Sequence, residues 1–198
     1  KLLLLKEKNF LIKDKLKKQE IGTVIKQDIS EIPVNICYLA IGSNLGNKVQ
    51  NINMAKTLLE KASIKILNCS SFYLTPAWPN EKYPNFNNIV IKIKTRLKIN
   101  ALFLQIKKIE KRLGRIKNIK NSPRTCDIDI IDFNGKNMNF VLGSHRLIVP
   151  HPRMENRNFV LFPLYEIEKN WKHPLNNTNI IDLMCKLSPK SLTTIKQI

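Results

Sequence analysis

Residues 125–133 read TCDIDIIDF, a largely apolar run in which a single residue separates Asp127 from Asp129. The β-branched isoleucines predict an extended strand. Side chains two positions apart on a strand point to the same face, about 6.5–7 Å apart. Asp127 and Asp129 therefore project together, whereas Ile128 and Ile130 point the other way, into the core. The run predicts a strand with one apolar face and one carboxylate face.

The sequence on both sides of this strand alternates between strand and helix patterns. The predicted elements, in chain order, are a strand at 36–41, a helix over 47–62, strands at 63–75 and 87–97, a helix over 99–113, the strand at 125–133, and short helices near 158–166 and 178–187. This β-α-β-β-α-β order predicts an α+β fold with a ferredoxin-like core, an antiparallel sheet and extra C-terminal helices. The Lys-rich residues 1–34 are expected to be an N-terminal extension, and residues 35–198 the functional domain.

The composition is that of a globular protein with a marked excess of positive charge. The chain has 198 residues, 43% of them hydrophobic, and a net charge of +19, which favours anionic partners. Lysine is scattered over the whole chain, so the charge alone does not identify the partner. Four widely spaced cysteines without a Cys-x-x-Cys pair argue against a zinc knuckle or a disulfide scaffold and favour the cytoplasm. No apolar run approaches the ~20 residues of a membrane-spanning helix.

Paired carboxylates on one strand face require a reason. Two carboxylates so close repel each other, and a hard divalent cation bound by both removes the conflict; Mg²⁺ is the usual choice. The alternative is a pair that merely faces solvent on an edge strand. The flanking cations favour the metal, because a metal with converging cations is what polyphosphate transfer requires. They are Arg115, Lys117, Lys120 and Arg124 upstream, and Arg146, His151 and Arg157 downstream.

The segment GSNLGNK at 42–48 is glycine-rich and follows the first predicted strand. Its spacing does not match the Walker phosphate-binding loop GxxxxGK[ST]. We therefore interpret it as a strand-to-helix turn, in which Ser43 or Asn44 is expected to cap the following helix.

Several segments of the chain recur together, in the same order and with nearly the same spacing, in one enzyme family. They are YLAIGSNLGNK at 38–48, SSFYLTPAW at 70–78, PNFNN at 84–88, LGRIKNIKNSPRTCDIDI at 113–130 and RLIVPHPRMENRNFVLFPLYEI at 146–167. The chain resembles the 6-hydroxymethyl-7,8-dihydropterin pyrophosphokinases of folate biosynthesis over about residues 36–188. The resemblance implies pyrophosphoryl transfer from ATP to the hydroxymethyl group of the reduced pterin, giving the pterin diphosphate and AMP.

The resemblance also implies roles for individual residues. Asp127 and Asp129 match the aspartates that hold two Mg²⁺ ions along the triphosphate, and with Arg115, Lys117 and Arg124 they are the expected catalytic residues. The implied pterin site comprises Thr75, Pro76, Trp78, Phe86, Asn88 and Phe159. The implied ATP contacts are Arg115, Lys117, Lys120, Arg124, Arg146, His151 and Arg157.

The chain departs from the family pattern in its basic loop. Lys117 and Lys120 stand where arginines are usual, and lysine offers a point charge instead of a bidentate fork. Asn121 and Ser122 replace an aromatic residue and a glycine. Phosphate clamping is therefore expected to be looser, whereas the aspartate pair is intact.

Two other interpretations remain open from the sequence. A basic ferredoxin-like module that binds nucleic acid would need aromatic residues on its central strands. The strand IVIKIKT at 89–95 has none. A degenerate pyrophosphokinase domain within a larger folate-pathway chain is the second, and the intact Asp127, Asp129 and Arg124 argue against lost activity. The expected partners are ATP and a reduced pterin, with no nucleic acid and no membrane, and with fusion to, or association with, another folate-pathway enzyme left open.

Overall fold

Antiparallel strands form the centre of the chain in the computed structural model, which describes residues 33–115, 122–143 and 145–198. The strands are β1 (Asn35–Ser43), β2 (Lys65–Cys69), β3 (Tyr73–Thr75), β4 (Phe86–Thr95), β5 (Asp127–Phe133), β6 (Met138–Leu142), β7 (His145–Val149) and β8 (Lys196–Gln197). One sheet has the order β5-β1-β4-β3-β8, and β2 also pairs with β4. Strands β6 and β7 form a separate hairpin. The expected α+β class and antiparallel sheet are confirmed.

Five α-helices accompany the strands in the described part of the chain. They are α1 (Lys48–Lys61), α2 (Ile99–Arg112), α3 (Asn158–Ile167), α4 (Ile180–Cys185) and α5 (Pro189–Thr193), and a 3₁₀ turn covers Met154–Asn156. None of these helices is long and apolar enough to cross a membrane. The expected extension, residues 1–34, lies almost wholly outside the described residues.

The sheet is covered on both faces, which explains why β1 is apolar almost throughout. Leu39 and Ile41 face a cluster formed with α1 and α2. Tyr38 and Ala40, on the other face of β1, belong to a second cluster formed with α3 and α4. Ala40 lies opposite Asp129 in the β1–β5 ladder, and Gly42 opposite Asp127. The two aspartates are therefore on the α3 face, beyond the end of the apolar cluster.

Several local predictions were wrong. The segment 63–75 is two strands, because the hydroxyl of Ser70 accepts a hydrogen bond from the Val90 amide and replaces a rung of the ladder. Helix α1 is capped by the side chain of Asn47, which accepts from the Gln50 amide, and not by Ser43 or Asn44. The β6–β7 hairpin and the C-terminal elements α5 and β8 were not predicted.

Candidate active site

A cavity of about 740 Å³ opens on the α3 face of the sheet. Its walls come from strands β1, β3, β4 and β5, from the loop before β4, and from residues of α2, α3 and α5. The predicted site residues that line it are Thr75, Pro76, Trp78, Phe86, Asn88, Arg115, Arg124, Asp127, Asp129, Arg157 and Phe159. Residues predicted to bind the pterin and residues predicted to bind ATP, which lie between Thr75 and Phe159 in the sequence, therefore line the same cavity.

The two aspartates form one side of the cavity. Asp127 and Asp129 project to the same face of β5, as the alternation predicts, with side chains 22% and 31% exposed. The residues between and beyond them, Ile128 and Ile130, are buried in the opposite cluster. Both carboxylates are thus anchored by a rigid strand while their oxygens remain reachable from the cavity.

Asp127 is held between two arginines. Arg124 Nη1 lies 2.8 Å from Asp127 Oδ2, and Arg115 Nη1 donates to Asp127 Oδ1. Arg115 also pairs with Glu110, a residue of α2 that is 2% exposed. Burial favours the neutral form of Arg115, but the charges of Asp127 and Glu110 outweigh it and raise the pKa of Arg115 above its usual value.

Glu110 is the buried foundation of this cluster. Its Oε1 accepts a hydrogen bond of 2.9 Å from the Ile128 amide, and its Oε2 lies 2.8 Å from Lys107 Nζ. One carboxylate therefore ties helix α2, strand β5 and Arg115 together. The sequence signal was available: Glu110 follows Ile106 and Ile109 on the apolar side of a helix, where an acidic residue needs a partner.

Asp129 has its own cationic partners. Arg157 Nη1 donates to Asp129 Oδ2 at 3.0 Å, and His151 Nε2 lies 3.8 Å from the same oxygen. Burial alone would raise the pKa of Asp129, but His151 and Arg157 together lower it. Burial lowers the pKa of His151, whose Nδ1 accepts from the Arg153 amide.

The part of the cavity that β3 and β4 form is lined by neutral groups. Asn88 donates through Nδ2 to Thr75 Oγ1 at 3.0 Å and to the Tyr73 carbonyl at 3.4 Å. Asn88 and Thr75 are 5% and 4% exposed. A side chain at Gly42, across the ladder from Asn88, would place its Cβ 2.9 Å from Asn88 Oδ1 and 3.5 Å from the Phe86 ring. The missing side chain of Gly42 therefore keeps a slot open beside the Asn88 amide.

Aromatic rings and a C-terminal wall complete this side. Phe86 lies beneath the guanidinium of Arg124 at 5.6 Å, and Phe159 beneath that of Arg157 at 5.3 Å. Trp78 is 71% exposed at the rim. The unpredicted wall consists of Ser188, Lys190, Ser191 and Thr194. Its position follows from the end of the chain, where β8 pairs with β3, and no motif marked it in the sequence.

Some of the predicted residues lie elsewhere. Arg146 is exposed on β7 and donates to Asn139 Oδ1 within the hairpin. His151 contacts Asp129 but is not part of the cavity wall. Lys117 and Lys120 lie outside the described residues, so their expected contacts stay predictions.

The donor set fits a divalent cation whose shell is completed by a ligand. Carboxylate oxygens suit Mg²⁺, which commonly takes one or two protein carboxylates and completes its shell with water and substrate phosphates. Within the described ranges, no cluster of three or more His, Cys, Asp or Glu side chains is placed to hold a metal. Asp127 and Asp129 can thus contribute to a shared cation site but do not form a cage.

Paired carboxylates with converging arginines, at the edge of an antiparallel α+β fold, are the arrangement that enzymes of phosphoryl transfer use. The chain belongs to the 7,8-dihydro-6-hydroxymethylpterin-pyrophosphokinase (HPPK) family, whose model matches residues 38–169. It is 41% identical over 138 residues to the 2-amino-4-hydroxy-6-hydroxymethyldihydropteridine pyrophosphokinase of Aquifex aeolicus. That match covers 70% of this chain and 83% of the relative.

Larger proteins are also similar to this chain. A folic acid synthesis protein of Pneumocystis carinii is 36% identical over 150 residues, which is 76% of this chain but only 20% of the relative. A Plasmodium falciparum HPPK-DHPS structure with pteroate superimposes with a TM-score of 0.62 at 18% identity. It covers 78% of this chain and 42% of that one. This structural likeness supports the fold, and the chain spans only a fraction of these longer proteins.

Proposed function

We propose that the chain transfers pyrophosphate from ATP to the hydroxymethyl group of 6-hydroxymethyl-7,8-dihydropterin, giving the pterin diphosphate and AMP, as a step of folate biosynthesis. The observation that carries the proposal is the single cavity that joins the Asp127–Asp129 side to the Asn88–Phe86 side. Family membership makes this reaction the expected one, and the intact aspartate pair supports retained activity. We assign the activity to residues 35–198 and treat residues 1–34 as an extension.

The neutral side is the proposed pterin site. Asn88 uses its Nδ2 hydrogens on Thr75 and Tyr73, and no described residue is seen to donate to its Oδ1, so this oxygen can accept from the ring's N–H edge. Phe86 and Phe159 offer apolar ring faces to a flat heterocycle, and Trp78 lies at the rim. Thr75 fixes the Asn88 rotamer before any substrate arrives. The recognition edge is therefore preformed.

The charged side is the proposed site for ATP and two Mg²⁺ ions. Asp127 and Asp129 would hold the metal, and bound Mg²⁺ would neutralise phosphate oxygens. Arg115, Arg124 and Arg157 now pair with these carboxylates. Once metal charge replaces that pairing, the same guanidinium groups are placed to bind the phosphates and to offset the charge that develops on them.

The reaction follows from bringing the two sides together. The hydroxymethyl oxygen forms a bond to the β-phosphorus of ATP, the bond from that phosphorus to the α,β-bridging oxygen breaks, and AMP leaves while the hydroxyl proton is released. Little covalent work is left to the protein, so its contribution is orientation and electrostatic stabilisation. Attack at the γ-phosphorus would give ADP instead.

The test is a product assay with the purified chain, ATP, Mg²⁺ and 6-hydroxymethyl-7,8-dihydropterin. We expect AMP and the pterin diphosphate in equal amounts, and no product without Mg²⁺. ADP as the stoichiometric product would make the protein a simple kinase. A matched reaction with 6-methyl-7,8-dihydropterin, which lacks the accepting hydroxyl, should release no AMP and controls for ATP hydrolysis.

Three finer points belong to the same proposal. The strand order with β1 and β4 central and β5 at one edge supports the ferredoxin-like interpretation of the core. Cytoplasmic location remains a prediction from the cysteine pattern. Association with another folate-pathway enzyme is supported by the longer relatives, one of which this chain matches over only 20% of its length.

A further inference from the structure

Asn44 lies at the junction of the two sides of the cavity, in the turn between β1 and α1. It is 2% exposed and does not line the cavity. Its backbone amide donates to the Arg124 carbonyl at 3.1 Å, and its side-chain Oδ1 accepts from the Arg124 amide at 2.8 Å. Its Nδ2 donates to the Pro84 carbonyl at 3.1 Å. A single buried amide thus bonds two loops that are 40 and 80 residues away in sequence.

The two loops carry one side of the proposed site each. Arg124 reaches Asp127 with its guanidinium. Pro84 immediately precedes Asn85 and Phe86, where β4 begins and from which Asn88 projects. The Arg124 loop also contacts the start of β4 directly, since the Arg124 guanidinium lies over the Phe86 ring at 5.6 Å. A shift of either loop would change the distance between the phosphate-facing arginine and the pterin-facing ring.

We propose that Asn44 is a positioning residue that fixes the spacing between the nucleotide side and the pterin side of the active site. The inference rests on the proposed function, since it assigns a substrate to each side. Asn44 acts through Arg124 and Pro84 and touches neither substrate. Its amide is suited to this because only a side chain with both an acceptor and a donor satisfies the Arg124 N–H and the Pro84 carbonyl together.

The chemistry of asparagine allows the two contacts to be separated. Asn44→Asp keeps an acceptor for the Arg124 amide but places a second oxygen against the Pro84 carbonyl, where no donor remains. Asn44→Ala removes both side-chain contacts. Asn51→Ala is the matched control, because Asn51 braces the same turn through Ser43 Oγ and the Leu45 carbonyl and touches neither loop.

Amide hydrogen exchange measures how firmly the two loops are held, and it does not require catalytic turnover. In Asn44→Ala we expect the amides of Arg124 and of residues 85–88 to exchange at least about tenfold faster, as the loss of a buried hydrogen bond implies. In Asn44→Asp only the amides of residues 85–88 should exchange faster. In Asn51→Ala neither should change. An unaltered Arg124 amide in Asn44→Ala, or equal changes in Asn44→Ala and Asn51→Ala, would overturn the proposal.

Kinetics then test the functional half of the inference. Asn44→Asp should raise the KM for the pterin about tenfold and leave the KM for ATP within about twofold, whereas Asn44→Ala should raise both. Equal effects of the two variants on both KM values would mean that Asn44 contributes only to stability. Wild-type turnover tests the proposed function, and the exchange pattern does not depend on it.

Wild-type protein supplies the test if Asn44→Asp does not fold. The Asn44 side-chain NH₂ resonances should exchange slowly and should shift when either the pterin or a non-hydrolysable ATP analogue is added. If the resonances respond to neither ligand, the proposal that Asn44 couples the two sides is refuted.

Discussion

The two sides of the cavity solve the problem of polar burial in different ways. On the β5 side, carboxylates and guanidinium groups neutralise one another through pairs such as Arg157–Asp129 at 3.0 Å. On the β3–β4 side, Asn88 is held by Thr75 and a backbone carbonyl without any charge. Under the proposed function, the charged partners would be exchanged when a metal and phosphates bind, whereas the amide slot is already formed. Binding would therefore rearrange one side and leave the other unchanged.

This difference predicts which kind of mutation damages each side. A buried or half-buried charge that loses its partner is costly, because the remaining charge is left uncompensated. A preformed slot is instead sensitive to volume, because its shape is fixed before binding. Substitutions that remove a charged side chain should therefore be most harmful on the charged side, and substitutions that enlarge a side chain should be most harmful on the neutral side.

The largest effect is expected from deleting either carboxylate. Asp127→Ala or Asp129→Ala should lower Mg²⁺-dependent turnover by on the order of 10³-fold or more, because the metal loses a protein ligand and the arginines lose their anionic partner. Steady-state AMP release measures the loss. Pterin affinity, measured by isothermal titration calorimetry, should stay within about threefold if the two sides are separable. Near-normal turnover in either variant contradicts the metal assignment.

A smaller but selective effect is expected from filling the slot. The added methyl of Gly42→Ala would sit 2.9 Å from Asn88 Oδ1, so the amide or the strand must move. We expect the KM for the pterin to rise about 10–100-fold and the KM for ATP to change by less than about threefold, as a misplaced recognition edge implies. An equal rise of both constants would show that the two sides are not independent.

The β1–β5 relation shows how much of this could be read from the sequence. The alternation at 127–130 fixed which side chains share a face, and the structure places both aspartates in the cavity with Ile128 and Ile130 in the core. Strict periodicity of two leaves little choice once one face is apolar. The order of the core strands and helices followed from the same kind of periodicity, whereas the pterin and ATP residues were named only through the family resemblance.

Contacts between distant loops were not predictable in this way. Ser43 or Asn44 was expected to cap α1, since serine and asparagine between a strand and a helix commonly do so. Asn47, three residues later, takes that role, and Asn44 bonds Arg124 and Pro84 instead. Local propensity ranks the two asparagines alike, and only tertiary packing separates them. The C-terminal wall was not predicted for the same reason, because its position depends on the pairing of β8 with β3.

An intermediate effect is expected from weakening the base of the charged side. Glu110→Gln keeps the shape but removes the charge that faces Arg115 and Lys107. We expect a loss of stability on the order of 1–3 kcal/mol, because a buried network loses its anion. The KM for ATP should rise about tenfold as Arg115 is released, with the KM for the pterin nearly constant. Urea denaturation and paired KM measurements check both parts, and a rise confined to the pterin constant would reverse the assignment of sides.

The smallest effect is expected at the C-terminal wall, where two anchors can be compared. Lys190 pairs with Glu81 at 2.8 Å, but their side chains are 73% and 61% exposed. Water and salt screen such a pair, so Lys190→Ala should change stability by less than about 0.5 kcal/mol and the pterin KM by less than about twofold.

Asn158 is 8% exposed and donates to the Ser191 carbonyl. Asn158→Ala should therefore raise the pterin KM several-fold by freeing the wall. A larger rise of the pterin KM in Lys190→Ala than in Asn158→Ala would contradict this expectation. If that rise also disappeared at high salt, the exposed ion pair and not the buried amide would hold the C-terminal wall in place.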